Sequence, residues 1–171
     1  MFRCIEYTAF LWKAKGRHGT HSPFAYWLVD GVARLPEASI NLNSNGIRSK
    51  KTNEFIDKLN RALPQYALSV IGPKSAEIGV NSELKPQIIV FDAPLDANCC
   101  QQILESRFHP ESMIILPQSA NKKDRRLFEQ LYANARFHFT ANCFHFSILS
   151  PRPGQAKQHF YLKLAWRINN L

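Results

Sequence analysis

The hydrophobic pattern of this chain changes period about a third of the way along, from helical spacing to short apolar runs. Phe2, Ile5, Ala9 and Trp12 fall at helical spacing and predict a first helix with those residues on its apolar stripe. Gly16 and Gly19 then break the pattern. A second helix is predicted from Ser22-Pro23, a capping hydroxyl followed by proline at the first helical position, where no N–H is needed. Phe24, Trp27, Leu28 and Val32 continue its face, and Leu35-Pro36 ends it. Residues 37–48 are polar and read as a loop. From Lys50 to Leu63 the stripe Phe55, Ile56, Leu59 and Leu63 predicts a third helix, stopped by Pro64. Lys51, Asp57, Lys58 and Arg61 are expected mostly to face water.

After Pro64 the period shortens. Residues 68–72 form a short apolar strand, while 87–92 and 112–116 are continuous apolar runs of the kind found in parallel strands covered on both faces. Helices are expected over about 96–108 and about 121–135, the second packing Leu127, Phe128, Leu131 and Tyr132. This alternation implies an α/β arrangement. Residues 136–140, 144–150 and 159–166 read as strands with no helices between them, so a C-terminal antiparallel hairpin is expected beside the parallel sheet. The expected organisation is a single domain over 1–171, with a helical segment at 1–63 and a Rossmann-like sheet at 64–171.

Composition adds four points. Twelve phenylalanines predict an aromatic interior. No apolar run approaches the ~18 residues of a membrane helix, and Glu6 interrupts the apolar start that a signal peptide would need, so a cytoplasmic protein with no membrane partner is expected. The net charge of +9 raises the reading of a basic nucleic-acid-associated module. That charge is dispersed, however, and the stretch from Pro73 to Glu111 is locally acidic, which disfavours nucleic acid as the partner. Cys4, Cys99, Cys100 and Cys143 show no zinc-type spacing and read as free, mostly buried thiols.

Two stretches carry a family resemblance. Residues Leu11 to Phe24, with Lys13-Ala14-Lys15-Gly16-Arg17-His18-Gly19-Thr20-His21-Ser22-Pro23-Phe24, resemble the N-terminal "KAKxRHGxHSPF" signature of small bacterial O-methyltransferase-like proteins. Gly154-Gln155-Ala156-Lys157-Gln158-His159-Phe160 is similar to the same group's closing "xQxKEHF". The resemblance implies a class I methyltransferase fold, whose sheet ends in an inserted antiparallel strand, and S-adenosylmethionine as cofactor.

The departures concern that cofactor. The family's first strand leads into a glycine loop, because a Cβ there would collide with the ligand or forbid the turn. In this chain Val70-Ile71-Gly72 runs into Pro73-Lys74, and proline offers no N–H and fixes φ. Residues 73–86 give room for one short crossover, where the family has further strand–helix units. If the alignment holds, Asp92 matches the aspartate of an "FIDGxH" segment, followed here by Ala93-Pro94-Leu95. Pro117-Gln118-Ser119-Ala120 stands where the family carries an acidic "DDIH"-like segment. The carboxylates that could place a metal or act as a base are missing. As an alternative, the spacing of Asp92 from Gly72 fits a ribose-binding acid in a dinucleotide fold.

The expected fold is therefore α/β, a reduced Rossmann-like class I methyltransferase sheet with N-terminal helices and a C-terminal antiparallel hairpin. The first functional reading is a methyltransferase-like protein with a degraded cofactor site, non-catalytic, whose partner is another protein or a second copy of the chain. The alternative is an active small O-methyltransferase binding S-adenosylmethionine in an atypical pocket near Gly72, Lys74 and Asp92. Arg17, His18, His21 and Ser22 form a signature elbow. It could contact substrate, phosphate or metal, but the preferred reading is structural, with Gly19 allowing the turn and Ser22 capping the helix. A turn at Ala141-Asn142 would set His138 across from His145, with His159 as a third metal ligand, though no metal is expected. Cys99-Cys100 at a helix start could have lowered thiol pKa values, but buried small residues are the preferred reading. No Gly-x-Ser-x-Gly, Walker, H-E-x-x-H or EF-hand pattern is present.

Overall fold

A computed structural model describes residues 2–14, 21–36, 49–72, 85–117, 122–154 and 156–164, with the side chains of 2–6 and 122–125 outside the description. Helix α1 covers Phe2–Lys13, and α2 begins at Pro23–Tyr26 and continues as a π-helical segment over Trp27–Val32. Helix α3 spans Lys50–Ala62. Strands β1 (Ala67–Ile71), β2 (Gln87–Phe91) and β3 (Met113–Pro117) alternate with α4 (Ala97–Glu105) and α5 (Lys122–Ala133). Strands β4 (Phe139–Asn142), β5 (Phe146–Ser150) and β6 (Gln158–Tyr161) follow. The predicted loop at 37–48 lies outside the described residues.

All six strands join one mostly parallel sheet in the order β1-β2-β3-β5-β4-β6. The neighbouring pairs β1/β2 and β2/β3 are parallel. Strand β5 runs antiparallel to both its neighbours, β3 and β4, so the expected hairpin is present with its second strand inserted into the sheet. Strand β6 then returns parallel to β4, which the sequence pattern did not indicate.

Side-chain alternation along the central strands explains their continuous apolar runs. Ile88, Val90, Met113 and Ile115 join a core with Leu28, Val32, Phe55 and Leu59 of the N-terminal helices. The intervening residues Ile89, Phe91, Ile114 and Leu116 face a second core with Ile103 of α4 and Phe128 and Leu131 of α5. Both described crossover helices thus cover one face of the sheet, and the N-terminal helices cover the other. Aromatic packing recurs throughout: Phe55 stacks on Phe146 at 4.7 Å, and Phe24 meets Phe139 edge-on at 4.7 Å. Such contacts contribute about 1 kcal/mol each beyond burial.

Several expectations are corrected. Trp12 is not part of a buried stripe; it is 93% exposed, and Phe10 instead fixes α1 against Phe144 and Tyr161. Asp57 and Lys58 do not face water, since both are buried. Lys58 Nζ donates to the Ala33 carbonyl at 3.0 Å and pairs with Glu54 at 3.0 Å. The Ala33 N–H closes the π segment on the Leu28 carbonyl, and inside that segment Gly31 has a steric reason: a Cβ there would come 3.0 Å from the Trp27 ring. The terminal strands begin and end elsewhere than expected. The chain reverses at Cys143–His145, not at Ala141-Asn142, because β4 continues through Asn142 and Phe144 takes a positive φ of 67°. Phe137 and Phe139 consequently separate into the two cores on opposite faces.

Candidate functional site

The carboxyl ends of β1 and β2 are where a doubly wound sheet would hold a cofactor. Gly72 follows β1, and no described atom lies within 4 Å of a Cβ built on it, so the surrounding protein places no steric demand for glycine there. Asp92 follows β2; its N–H donates to the Ile71 carbonyl at 2.8 Å, and its side chain is only 3% exposed. Lys74 lies outside the described residues. Gly72 and Asp92 are therefore neighbours at adjoining strand ends, as the pairing of β1 with β2 requires.

The two stretches that carry the family resemblance come together elsewhere. A cleft of about 290 Å³ opens beside β6, between the end of α1 and the start of α2. Lys13 lines one wall, His21 and Ser22 another, and Gln158 to Tyr161 the strand side. Ser22 is buried and caps α2, its hydroxyl accepting from the Ala25 N–H at 3.4 Å, as the Ser-Pro start predicts. His21 is exposed. Arg17 and His18 of the same elbow, with Gly19, lie outside the described residues.

The strand wall is aromatic and cationic together. Lys13 Nζ sits 5.7 Å from the centroid of the Tyr161 ring, a cation–π contact. The His159 ring packs on Tyr132 at 4.4 Å and edge-on to Tyr161 at 5.1 Å. Its Nδ1 lies 2.8 Å from the Thr140 hydroxyl, so Nε2 is the ring's remaining polar atom. His159 is exposed overall, but desolvation of its ring where it packs on Tyr132 lowers its pKa from the ordinary histidine value. No described lining residue is acidic. The sequence pattern singled out the elbow and the Gln158-His159-Phe160 stretch separately, but Lys13 and Tyr161 gained significance only from their convergence.

The proposed histidine set does not assemble. Strand β4 pairs Phe139 with Ser150, which carries His138 toward Pro151, whose carbonyl its Nδ1 meets at 2.7 Å. His145 lies in the turn with its ring against Phe144, and His159 lies on β6. Among the described residues no three His, Cys, Asp or Glu side chains are grouped to hold a metal. The cysteines at the start of α4 are also not activated. Burial, with Asp96 adding repulsion, pushes the Cys99 thiol up to about 12, and burial raises Cys100 as well.

A second cleft, of about 440 Å³, is lined by Arg107, Phe108, Pro110, Arg136, Phe137 and Pro151. Its Arg136 guanidinium donates to the carbonyls of Leu104 and Ser106 at the end of α4. Neither cleft is lined by Gly72 or Asp92.

Fold and site together define a mixed α/β chain with a six-stranded, mostly parallel sheet, compatible with the Rossmann-like class. No protein-family model matches the chain, and neither a curated protein nor a solved structure matches it significantly. Among the described residues no helix is long and apolar enough to cross a membrane.

Proposed function

We propose that this chain is a methyltransferase-like protein whose S-adenosylmethionine site is degraded and which acts by binding, not by catalysis. The observation that carries this reading is the burial of Asp92. Whether Asp92 answers to the "FIDGxH" aspartate or to a ribose-binding acid, a ligand must reach it from a crevice at the strand ends, and this residue is 3% exposed. Pro73 directly after Gly72 removes an N–H that the cofactor carboxylate would use. The methyltransferase ancestry is supported by the antiparallel β5, inserted between the mutually parallel β3 and β4. Fold alone confers no activity, so the reading rests on the site.

Thermal melting with S-adenosylmethionine at millimolar concentration tests it. The melting temperature is expected to stay unchanged, because only a ligand that binds the native state raises it. A clear upward shift would favour an active O-methyltransferase with an atypical pocket near Gly72, Lys74 and Asp92.

A further inference from the structure

We infer that the cleft between α1, the α2 start and β6 binds a small molecule that joins an oxyanion, such as a phosphate monoester, to a planar apolar body. The inference is independent of the cofactor reading, because the cleft lies away from Gly72 and Asp92. Three observations carry it.

First, the wall chemistry is one-signed. Lys13 brings a full positive charge, His21 adds an exposed imidazole, and no described lining residue is acidic. A lysine ammonium over an aromatic ring loses little by also meeting an anion, since the ring does not neutralise it. Second, the polar side chains are held in place. His159 is fixed through Thr140 and packed between aromatic rings, so its Nε2 is oriented before any ligand arrives. Ser22, next to His21 in the chain, is fixed by its capping bond. Third, the cleft's size and aromatic lining suit a small ligand. About 290 Å³ lies at the lower end of small-molecule sites, and the Tyr161 ring supplies the aromatic wall that a planar group needs. A bare inorganic anion would leave that wall unused.

Isothermal titration at pH 7 with phenyl phosphate, inorganic phosphate and phenol separates the contributions. Phenyl phosphate is expected to give saturable binding in the millimolar range, inorganic phosphate weaker binding, and phenol none. Lys13→Gln, at an exposed position, should weaken phenyl phosphate about tenfold through loss of a charge-assisted contact. His159→Gln should weaken it by a smaller factor. Raising the salt to about 0.5 M should weaken the native protein's binding, since exposed charges are screened. Circular dichroism on each variant verifies folding. No saturable heat up to about 20 mM overturns the inference. So does phenol binding as tightly as phenyl phosphate, or an unchanged affinity in a folded Lys13→Gln variant.

Discussion

Lys58 illustrates how one residue can reconcile burial with charge. The π segment ends at Ala33, whose carbonyl lies in a dry environment, where an unpaired acceptor would cost free energy. Lys58 Nζ meets it, and Glu54 balances the charge at the same 3.0 Å separation. Removing the ammonium takes the donor from the Ala33 carbonyl and leaves Glu54 to the more exposed Lys51 at 3.7 Å. Lys58→Met is expected to lower stability by about 3 kcal/mol in urea denaturation, the scale for breaking a buried pair. Arg34→Met, which removes the half-exposed Arg34–Asp30 pair, should cost less than about 1 kcal/mol. Equal costs would show that Lys58 is no more than a surface cation. The sequence placed Lys58 on the polar side of α3 because helical period alone cannot see the carbonyl of another element.

Elements were legible where their signals are local. Ser22-Pro23 starts α2, Asp96 caps α4 by accepting from the Cys99 N–H, and the apolar runs of β2 and β3 mark buried parallel strands. Ser22→Ala is expected to destabilise by about 1 kcal/mol, whereas Ser22→Thr should retain most of the cap; thermal melting of the two variants beside the native protein reads the difference. A neutral Ser22→Ala would mean that packing alone holds the start of α2. The β4–β5 reversal carries no such local signal. Its left-handed residue is Phe144, not the glycine or asparagine that usually signals such a turn. Its backbone is held by tertiary contact, since Phe144 meets Tyr7 at 4.7 Å and Phe10 at 5.4 Å.

At the scale of the whole molecule, proton linkage gives a further expectation. His159 is held below its ordinary pKa by desolvation of its ring, which packs on Tyr132 and Tyr161 and meets the Thr140 hydroxyl. The unfolded chain therefore binds a proton that the folded chain resists. Stability is full above the unfolded histidine value of about 6.5 and falls as pH drops through the interval down to the folded value. Melting temperatures measured from pH 7.5 to pH 5 should decline, and His159→Gln should flatten part of that decline. An unaltered slope in the variant would remove His159 as the cause. By itself the sequence determined the helical front, the apolar parallel strands, the helix caps and the α/β class, because each is written within a dozen neighbouring residues. Only the tertiary structure decided the insertion of β5, the return of β6, the burial of Lys58 and the convergence of Lys13, His21 and His159 on one cleft. These depend on contacts between segments distant along the chain, and no local period encodes them.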